Sequence, residues 1–166
     1  MKRIGLLSDT HSHLPPQVFE HFEECDEIWH AGDIGNPKVT EDLEKFKPLR
    51  AVWGNIDCHD LRKKFPEIWR FDCEGLDVCM THIGGYPGKY APKMRTYLYE
   101  KPPKLFICGH SHILKVINDP ILRLLHVNPG ACGLEGFHKI QTLMRFSIDA
   151  GILKNMEVIE LKSPQI

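Results

Sequence analysis

The chain has 166 residues, of which 42% are hydrophobic and 26% are charged, as is usual for one globular domain. Its formal net charge of −1 excludes a strongly basic surface, so we expect neither extended nucleic-acid binding nor attraction to a membrane. We also expect no secretion signal, because Ser8 and Asp9 end the first apolar run too early for one. Six cysteines include no Cys-x-x-Cys pair and several lie in apolar runs, which favours buried, reduced thiols. The sequence therefore predicts a single cytoplasmic domain over residues 1–166.

The first part of the sequence alternates predicted strands with predicted helices. A proline at the start of a helix needs no N–H donor, so Pro15-Pro16 suits a first helical turn. In chain order we predict a strand at 3–8, a helix from Pro15, a strand at 27–31, a helix at 40–46 and a strand at 49–53. This alternation favours a central sheet with crossover helices.

The second part is richer in predicted strands. Glu74-Gly75 is a hairpin signal, and Asp119-Pro120 and Asp149-Ala150-Gly151 mark two further turns. The predicted strands are 68–73, 76–81, 105–108, 114–118, 122–127, 141–148 and 155–161, with a helix at 89–99. The whole pattern predicts a layered α/β domain with one mixed sheet or two sheets.

Metal-ligating side chains follow five of these strands at the point where each strand ends. In chain order they are Asp9, His11, Asp33, Asn55, His82, His110 and His112. The carboxyl ends of strands form the ligand crevice of open α/β sheets, so we expect these side chains to meet at one rim. Gly32, Gly54 and Gly109 each precede one of them, as expected where a strand delivers a side chain through a tight turn.

The residue types indicate a site for two metal ions. Imidazole and carboxylate together suit Mn²⁺, Fe²⁺, Zn²⁺ or Ni²⁺. No cysteine is among these seven residues, which disfavours a closed structural zinc site. Seven ligands are too many for one tetrahedral ion but fit two ions if one carboxylate bridges them. Two-metal hydrolases hold their ions roughly 3.5–4 Å apart and clamp the attacking and leaving oxygens of a displacement.

Simpler interpretations stay open for single residues. Asp9 alone is equally consistent with a turn cap, and His110 and His112 with two alternating strand residues. Of the other histidines, His30 is a candidate buried partner of the site and His59 lies near the Asn55 turn. The remaining four are expected at the surface or satisfied within the core: His13, His21, His126 and His138.

These motifs resemble the signature of the calcineurin-like metallophosphoesterase superfamily. They are Asp9-x-His11, Gly32-Asp33, Gly54-Asn55, His82 and Gly109-His110-x-His112, in that order over residues 9–112. The small size, the stretch Asn128-Pro129-Gly130 and the short C-terminal strands resemble the compact bacterial and archaeal phosphodiesterase branch. This resemblance implies a four-layer α/β/β/α sandwich of two mixed sheets flanked by helices, with the metal site at the carboxyl ends of the strands.

The resemblance also implies a division of the ligands. Asp9, His11 and His112 would hold one ion, Asn55, His82 and His110 would hold the other, and Asp33 would bridge. The expected catalytic residues are Asp33, Asn55, His82 and His110. The expected cofactors are two divalent transition-metal ions, Mn²⁺ before Ni²⁺, Fe²⁺ or Zn²⁺.

One position departs from the superfamily pattern. Many members carry a histidine after the Gly-Asn turn, whereas Ile56 here can neither donate nor accept a proton. General-acid catalysis is therefore in doubt, and a good leaving group would need little protonation. We expect Asp57 to orient a ligand histidine from behind, and His59 is a candidate substitute acid.

The predicted function is hydrolysis of a small phosphoester, with a diester favoured, through attack by a metal-bridging hydroxide. Two alternatives differ in class: a single-metal protein, and a non-catalytic protein-interaction scaffold, the role of a retromer coat subunit on the same fold. A scaffold predicts decayed ligands, whereas all seven positions here are ligand-competent. The family often forms dimers, so a homodimer or larger homo-oligomer is a further expectation. The substrate loops are expected at 84–88 and 135–138, where Tyr86 and Phe137 either stack on an aromatic group or pack within their loops.

Overall fold

A computed structural model describes residues 1–162, which form twelve strands and four helices. In chain order these are β1 (Lys2–Leu7), α1 (Gln17–His21), β2 (Glu27–His30), α2 (Lys38–Phe46), β3 (Leu49–Ala51), α3 (His59–Lys64), β4 (Ile68–Cys73), β5 (Leu76–Thr81), β6 (Gly85–Tyr86), β7 (Lys89–Tyr90), α4 (Pro92–Glu100), β8 (Leu105–Ile107), β9 (Lys115–Asp119), β10 (Leu124–Asn128), β11 (Gln141–Asp149) and β12 (Ile152–Leu161). None of these helices is long and apolar enough to cross a membrane.

Ten of the strands form two five-stranded mixed sheets. The first sheet has the order β12-β11-β1-β2-β3, in which β1, β2 and β3 are parallel and β11 is antiparallel to both its neighbours. The second has the order β4-β5-β8-β10-β9, in which β5, β8 and β10 are parallel. Each sheet therefore contains three parallel strands whose carboxyl ends lie at the same edge. The polar residues that follow these strands are placed at that edge.

Alternating side chains divide the core into three layers. Leu6 and Trp29 of the first sheet pack against Val78 and Met80 of the second, so the two sheets lie face to face. Side chains on the outer face of the first sheet pack with α1, α2 and α3: Leu7, Ile28, Ala51, Val18, Leu43 and Leu61. Cys79 and Phe106, on the outer face of the second sheet, pack against Met94 and Leu98 of α4. The predicted four-layer α/β/β/α sandwich is confirmed.

Two helices differ between the prediction and the structure for local reasons. α3 is absent from the prediction because it buries only Leu61, which leaves no apolar stripe to detect. The helix predicted at 89–99 begins instead at Pro92, since Lys89 and Tyr90 pair in the small β6–β7 hairpin. All six cysteines are unpaired and five are buried as expected, whereas Cys58 is exposed at the start of α3.

Candidate metal centre

The seven predicted ligands meet at one edge of the two sheets. Asp9 and His11 follow β1, Asp33 follows β2 and Asn55 follows β3, all from the parallel part of the first sheet. The second sheet contributes His82 after β5, and His110 and His112 after β8. Two sheets packed face to face thus supply one site from opposite sides, as strand-end placement predicts.

One group of three potential ligands consists of Asp9, His11 and His112. The Nε2 atom of His112 lies 3.0 Å from Asp9 Oδ1, and the Nε2 atom of His11 lies 3.8 Å from the same oxygen. All three ligand atoms lie within 4.8 Å of one another, a spacing that lets one ion contact them together.

A second group consists of Asp33, His82 and His110. The Nε2 atom of His82 lies 3.1 Å from Asp33 Oδ2. Asn55 belongs to this side of the site, because its Oδ1 atom lies 3.0 Å from His110 Nδ1. The first group contains the three residues that the resemblance implies for one ion, and the second contains His82 and His110 with the proposed bridge Asp33; the division between two ions stays a prediction.

Asp33 lies between the two groups. Its Oδ2 atom is 3.1 Å from His82 Nε2 in one group and 3.4 Å from His11 Nε2 in the other. A bridging carboxylate must reach both sides in this way. The bridging role itself stays a prediction.

Three buried polar atoms at the centre have no hydrogen-bond partner among residues 1–162. They are Asp9 Oδ1, His11 Nε2 and His82 Nε2. Leaving a buried polar atom unpaired costs about 1–3 kcal/mol, so a cluster of them needs an explanation. A cation held by carboxylate oxygen and imidazole nitrogen would satisfy all three, so the donor set fits the implied metal ions.

The backbone is unusual at most of these positions. Asp9, His11, Asp33, His110 and His112 have φ values of 54°, 44°, 53°, 70° and 60°. Non-glycine residues rarely adopt this left-handed conformation, which costs of order 1–3 kcal/mol each and clusters at functional sites. The edge of the sheets is therefore shaped for delivering these side chains rather than for local backbone stability.

The three glycines that precede ligands are required for different structural reasons. Gly32 has a φ of 98°, which matches the expected left-handed turn. Gly54 and Gly109 do not have a positive φ; they allow close approach. A Cβ atom at Gly54 would lie 2.9 Å from Asp33 Cα and closer still to its amide nitrogen and Oδ1, and a Cβ at Gly109 would lie 2.7 Å from Asp9 Oδ2.

The carboxylates are fixed from behind by hydrogen bonds. Asp9 Oδ2 accepts a bond of 2.6 Å from the Ser8 hydroxyl and one of 3.1 Å from the His110 amide. Asp33 Oδ1 accepts a bond of 3.1 Å from the Ile56 amide. Each carboxylate thus turns its other oxygen toward the centre. Such outer contacts set the orientation of metal ligands.

Two histidines are oriented by their second ring nitrogen. His82 Nδ1 lies 2.8 Å from the Ala31 carbonyl and donates to it, which directs Nε2 into the site. His30, the expected buried partner, accepts a bond from the Gly32 amide at Nδ1 and pairs through Nε2 with the Thr10 hydroxyl at 3.0 Å. Burial lowers the pKa of His30 to about 4, so this ring is neutral and holds the turn that carries Asp33.

The charged groups of the centre stabilise one another. Burial alone would raise the pKa of Asp33, but the His82 ring, whose Nε2 lies 3.1 Å from Asp33 Oδ2, outweighs it, and the pKa is lowered. The pKa of Asp9 is lowered in the same way by His11 and His112 against the effect of burial. Burial, together with the charge of His82, lowers the pKa of His110. Ionised carboxylates beside a neutral imidazole are the forms that bind a metal ion.

Asp57 has a different role from the predicted one. Within residues 1–162 it forms no hydrogen bond or ion pair with a ligand histidine; its Oδ1 accepts a bond of 2.8 Å from the Gly35 amide and its Oδ2 one of 2.7 Å from the Gly54 amide. Asp57 therefore ties the turn after β3 to the loop after β2. His59 is exposed on α3 and forms no hydrogen bond to the site within residues 1–162, which gives no support to its role as substitute acid.

Two residues of the predicted substrate loop at 135–138 contact proposed ligands, and the sequence did not predict these contacts. Glu135 Oε2 lies 3.3 Å from His11 Nδ1, and the His138 ring packs edge-on against the His112 ring at 5.1 Å between centroids. Both lie in a loop more than a hundred residues from Asp9 in sequence, and this contact depends on the tertiary fold, so no local pattern signals it.

Comparison with known proteins agrees with the site. A model of the calcineurin-like phosphoesterase superfamily domain matches residues 1–151. A probable metallophosphoesterase of Methanothermobacter thermautotrophicus is 32% identical over 135 residues, which cover 77% of this chain and 76% of that protein. A phosphodiesterase of Methanocaldococcus jannaschii is 26% identical over 148 residues, covering 78% and 84% of the two chains.

The fold is also found in a protein with little sequence similarity. The crystal structure of Vps29 from Chaetomium thermophilum superposes with a TM-score of 0.77 over 97% of each chain, at 13% identity. At this identity the similarity concerns the fold alone. Because the family model spans residues 1–151, and so includes all seven predicted ligands, the chain belongs to the calcineurin-like phosphoesterase superfamily.

Proposed function

We propose that the protein is a phosphodiesterase that depends on two divalent transition-metal ions, with Mn²⁺ as the first candidate. Family membership supports phosphoester hydrolysis, and the relative named a phosphodiesterase supports a diester substrate. The observation that carries the proposal is the pair of three-residue ligand groups with Asp33 between them.

The ligands divide between the ions by position. Asp9, His11 and His112 would hold one ion; Asn55, His82 and His110 would hold the other; and Asp33 would contact both. Two ions bound there would neutralise charge on the phosphoryl oxygens and increase the acidity of the attacking water molecule.

The protein's own groups orient the reaction. The Ala31 carbonyl holds the His82 ring, and Asn55 Oδ1 lies 3.0 Å from His110 Nδ1, so both imidazoles keep a fixed position in the centre. Ile56 is 47% exposed beside Asn55 and offers no proton to a leaving group. We therefore infer that turnover depends steeply on leaving-group acidity, with nitrophenyl esters hydrolysed much faster than alkyl esters.

The proposal is tested with Asp33→Asn, assayed on bis(4-nitrophenyl) phosphate with added Mn²⁺, together with metal content per chain. The amide keeps an oxygen for the Ile56 N–H but loses the charge that two ions share, so we expect turnover to fall by about 100-fold or more. The matched control is Asp77→Asn, because Asp77 pairs with Arg70 near the other end of β5.

Unchanged turnover in Asp33→Asn would refute the bridging role. Wild-type protein that binds no metal at saturating Mn²⁺ would refute the enzyme and favour the scaffold alternative. One ion per wild-type chain would refute the dinuclear mechanism.

A further inference from the structure

Two cavities share the proposed ligand His110 in their lining. Both are lined by His110, Ser111 and Ile113. The Tyr86 cavity, about 440 Å³, lies against the β6–β7 hairpin, and the Phe137 cavity, about 510 Å³, lies against the loop at 136–138. Cavities of this size are typical of small-molecule sites.

The Tyr86 cavity has a wall suited to a planar organic group. Tyr86 is 42% exposed, and the Lys115 ammonium lies 4.1 Å from its ring centroid. Ile113 and Lys89 also line this cavity. Burial of a planar ring against aromatic and aliphatic side chains is favourable, and the two lysines attract the negative charge of a phosphoester.

The Phe137 cavity presents a second aromatic ring near the centre. Phe137 is fully exposed and lines this cavity together with Ile113, which is also exposed. Exposed apolar side chains that lie together mark binding sites, whereas single ones do not. The loop that carries it is anchored to one ligand group: Glu135 pairs with His11, and the His138 ring packs on His112. A bond of 2.8 Å between His138 Nε2 and the Gly133 carbonyl closes this loop. Phe137 is therefore held beside the metal centre and belongs to none of the core clusters within residues 1–162.

We propose that the two cavities take the two organic groups of a phosphodiester whose phosphoryl group lies between them at His110. The proposal rests on the proposed function and adds its substrate class: diesters with two planar aromatic or heteroaromatic groups. A phosphomonoester has one organic group and fills one cavity only. The paired cavities thus select diesters over monoesters, and Tyr86 and Phe137 are the specificity-determining residues.

The test uses three unreactive anions that share one head group: dimethylphosphinate, methyl(phenyl)phosphinate and diphenylphosphinate. Their phosphorus–carbon bonds cannot be hydrolysed, so titration calorimetry on the Mn²⁺-loaded protein measures binding without turnover. We expect each phenyl group to tighten binding by about three- to ten-fold, as one aromatic contact does.

Variants assign each ring to a cavity. Diphenylphosphinate should bind the wild type more tightly than dimethylphosphinate does, and Tyr86→Ala and Phe137→Ala should each remove from this difference the contribution of one phenyl group. The double variant should bind all three anions with equal affinity. Tyr99→Ala is the control, because Tyr99 is an exposed tyrosine on α4 that lines neither cavity, and its binding should match the wild type.

Equal binding of the three anions by the wild type would overturn the proposal, and so would an unchanged advantage of diphenylphosphinate in either single variant. Failure of the proposed function is measured by a different assay, in which the wild type does not hydrolyse bis(4-nitrophenyl) phosphate. Ring-dependent phosphinate binding without hydrolysis would refute the phosphodiesterase and leave the two-cavity assignment supported.

Discussion

Replacing Gly54 by alanine tests whether close packing between two loops holds Asp33 in place. The added Cβ would lie 2.9 Å from Asp33 Cα and closer to the Asp33 amide nitrogen and Oδ1, whereas ordinary contacts begin at 3.4 Å. Two of these three atoms are backbone, so the loops must separate by about 0.5 Å or more, the tolerance within which a preorganised site must be held. A displacement approaching 1 Å costs up to about 100-fold. We expect Gly54→Ala to weaken Mn²⁺ binding by about 10- to 100-fold.

Calorimetric Mn²⁺ titration measures this effect, and urea unfolding measures the stability of the same variant. The control is Gly88→Ala, since Gly88 has a φ of 83° and nothing within 4 Å of its added Cβ. That variant incurs the strain of a left-handed alanine, about 1 kcal/mol, without moving the metal centre. If Gly54→Ala binds Mn²⁺ as tightly as Gly88→Ala does, contact between the loops does not position Asp33.

Three further predictions concern stability. Glu27→Ala should destabilise the fold by about 3 kcal/mol in urea unfolding. The fully buried Trp29 indole N–H would lose its acceptor at 2.9 Å, and Arg50 would lose its carboxylate partner. Glu27→Gln keeps an acceptor and should lose less stability. Burial lowers the pKa of His126 to about 4, so the folded state binds this proton more weakly than the unfolded chain does. The free energy of unfolding should therefore decrease by about 3 kcal/mol as the pH falls from 6.5 toward 4. Between pH 7 and 4.5, the urea midpoint of His126→Gln should fall less than that of the wild type. Mn²⁺ at 100 times its Kd should stabilise the wild type by about 2.7 kcal/mol, seen as a rise in Tm over protein treated with EDTA, and an unchanged Tm would exclude specific binding to the folded state.

The layers of the fold were predictable because their signals are local. Alternating apolar runs mark each strand of the β4–β5 hairpin, and its bounds at 68–73 and 76–81 match the structure. The short helix α3 was not predictable, since its six residues bury one side chain and their helical state depends on packing against the first sheet.

The same distinction holds within the metal centre. Asp9 and His82 could be proposed as ligands because each follows a recognisable strand, and strand ends converge by geometry. The contact between Glu135 and His11 links residues far apart in the chain through a loop of no regular structure, so it follows only from the folded arrangement. The role of Asp57 was predicted wrongly for a related reason, because a carboxylate near a ligand has backbone amides as well as imidazoles within reach.

The left-handed backbone of five candidate ligands has a consequence for how such a site changes over evolutionary time. At Asp9, His11, Asp33, His110 and His112, glycine would relieve about 1 kcal/mol of strain each. A descendant freed from binding metal would therefore gain stability by losing these side chains, so decay of the site would be downhill. Aspartate and histidine at all five positions make the folded chain less stable, and binding of the proposed ions would offset this loss.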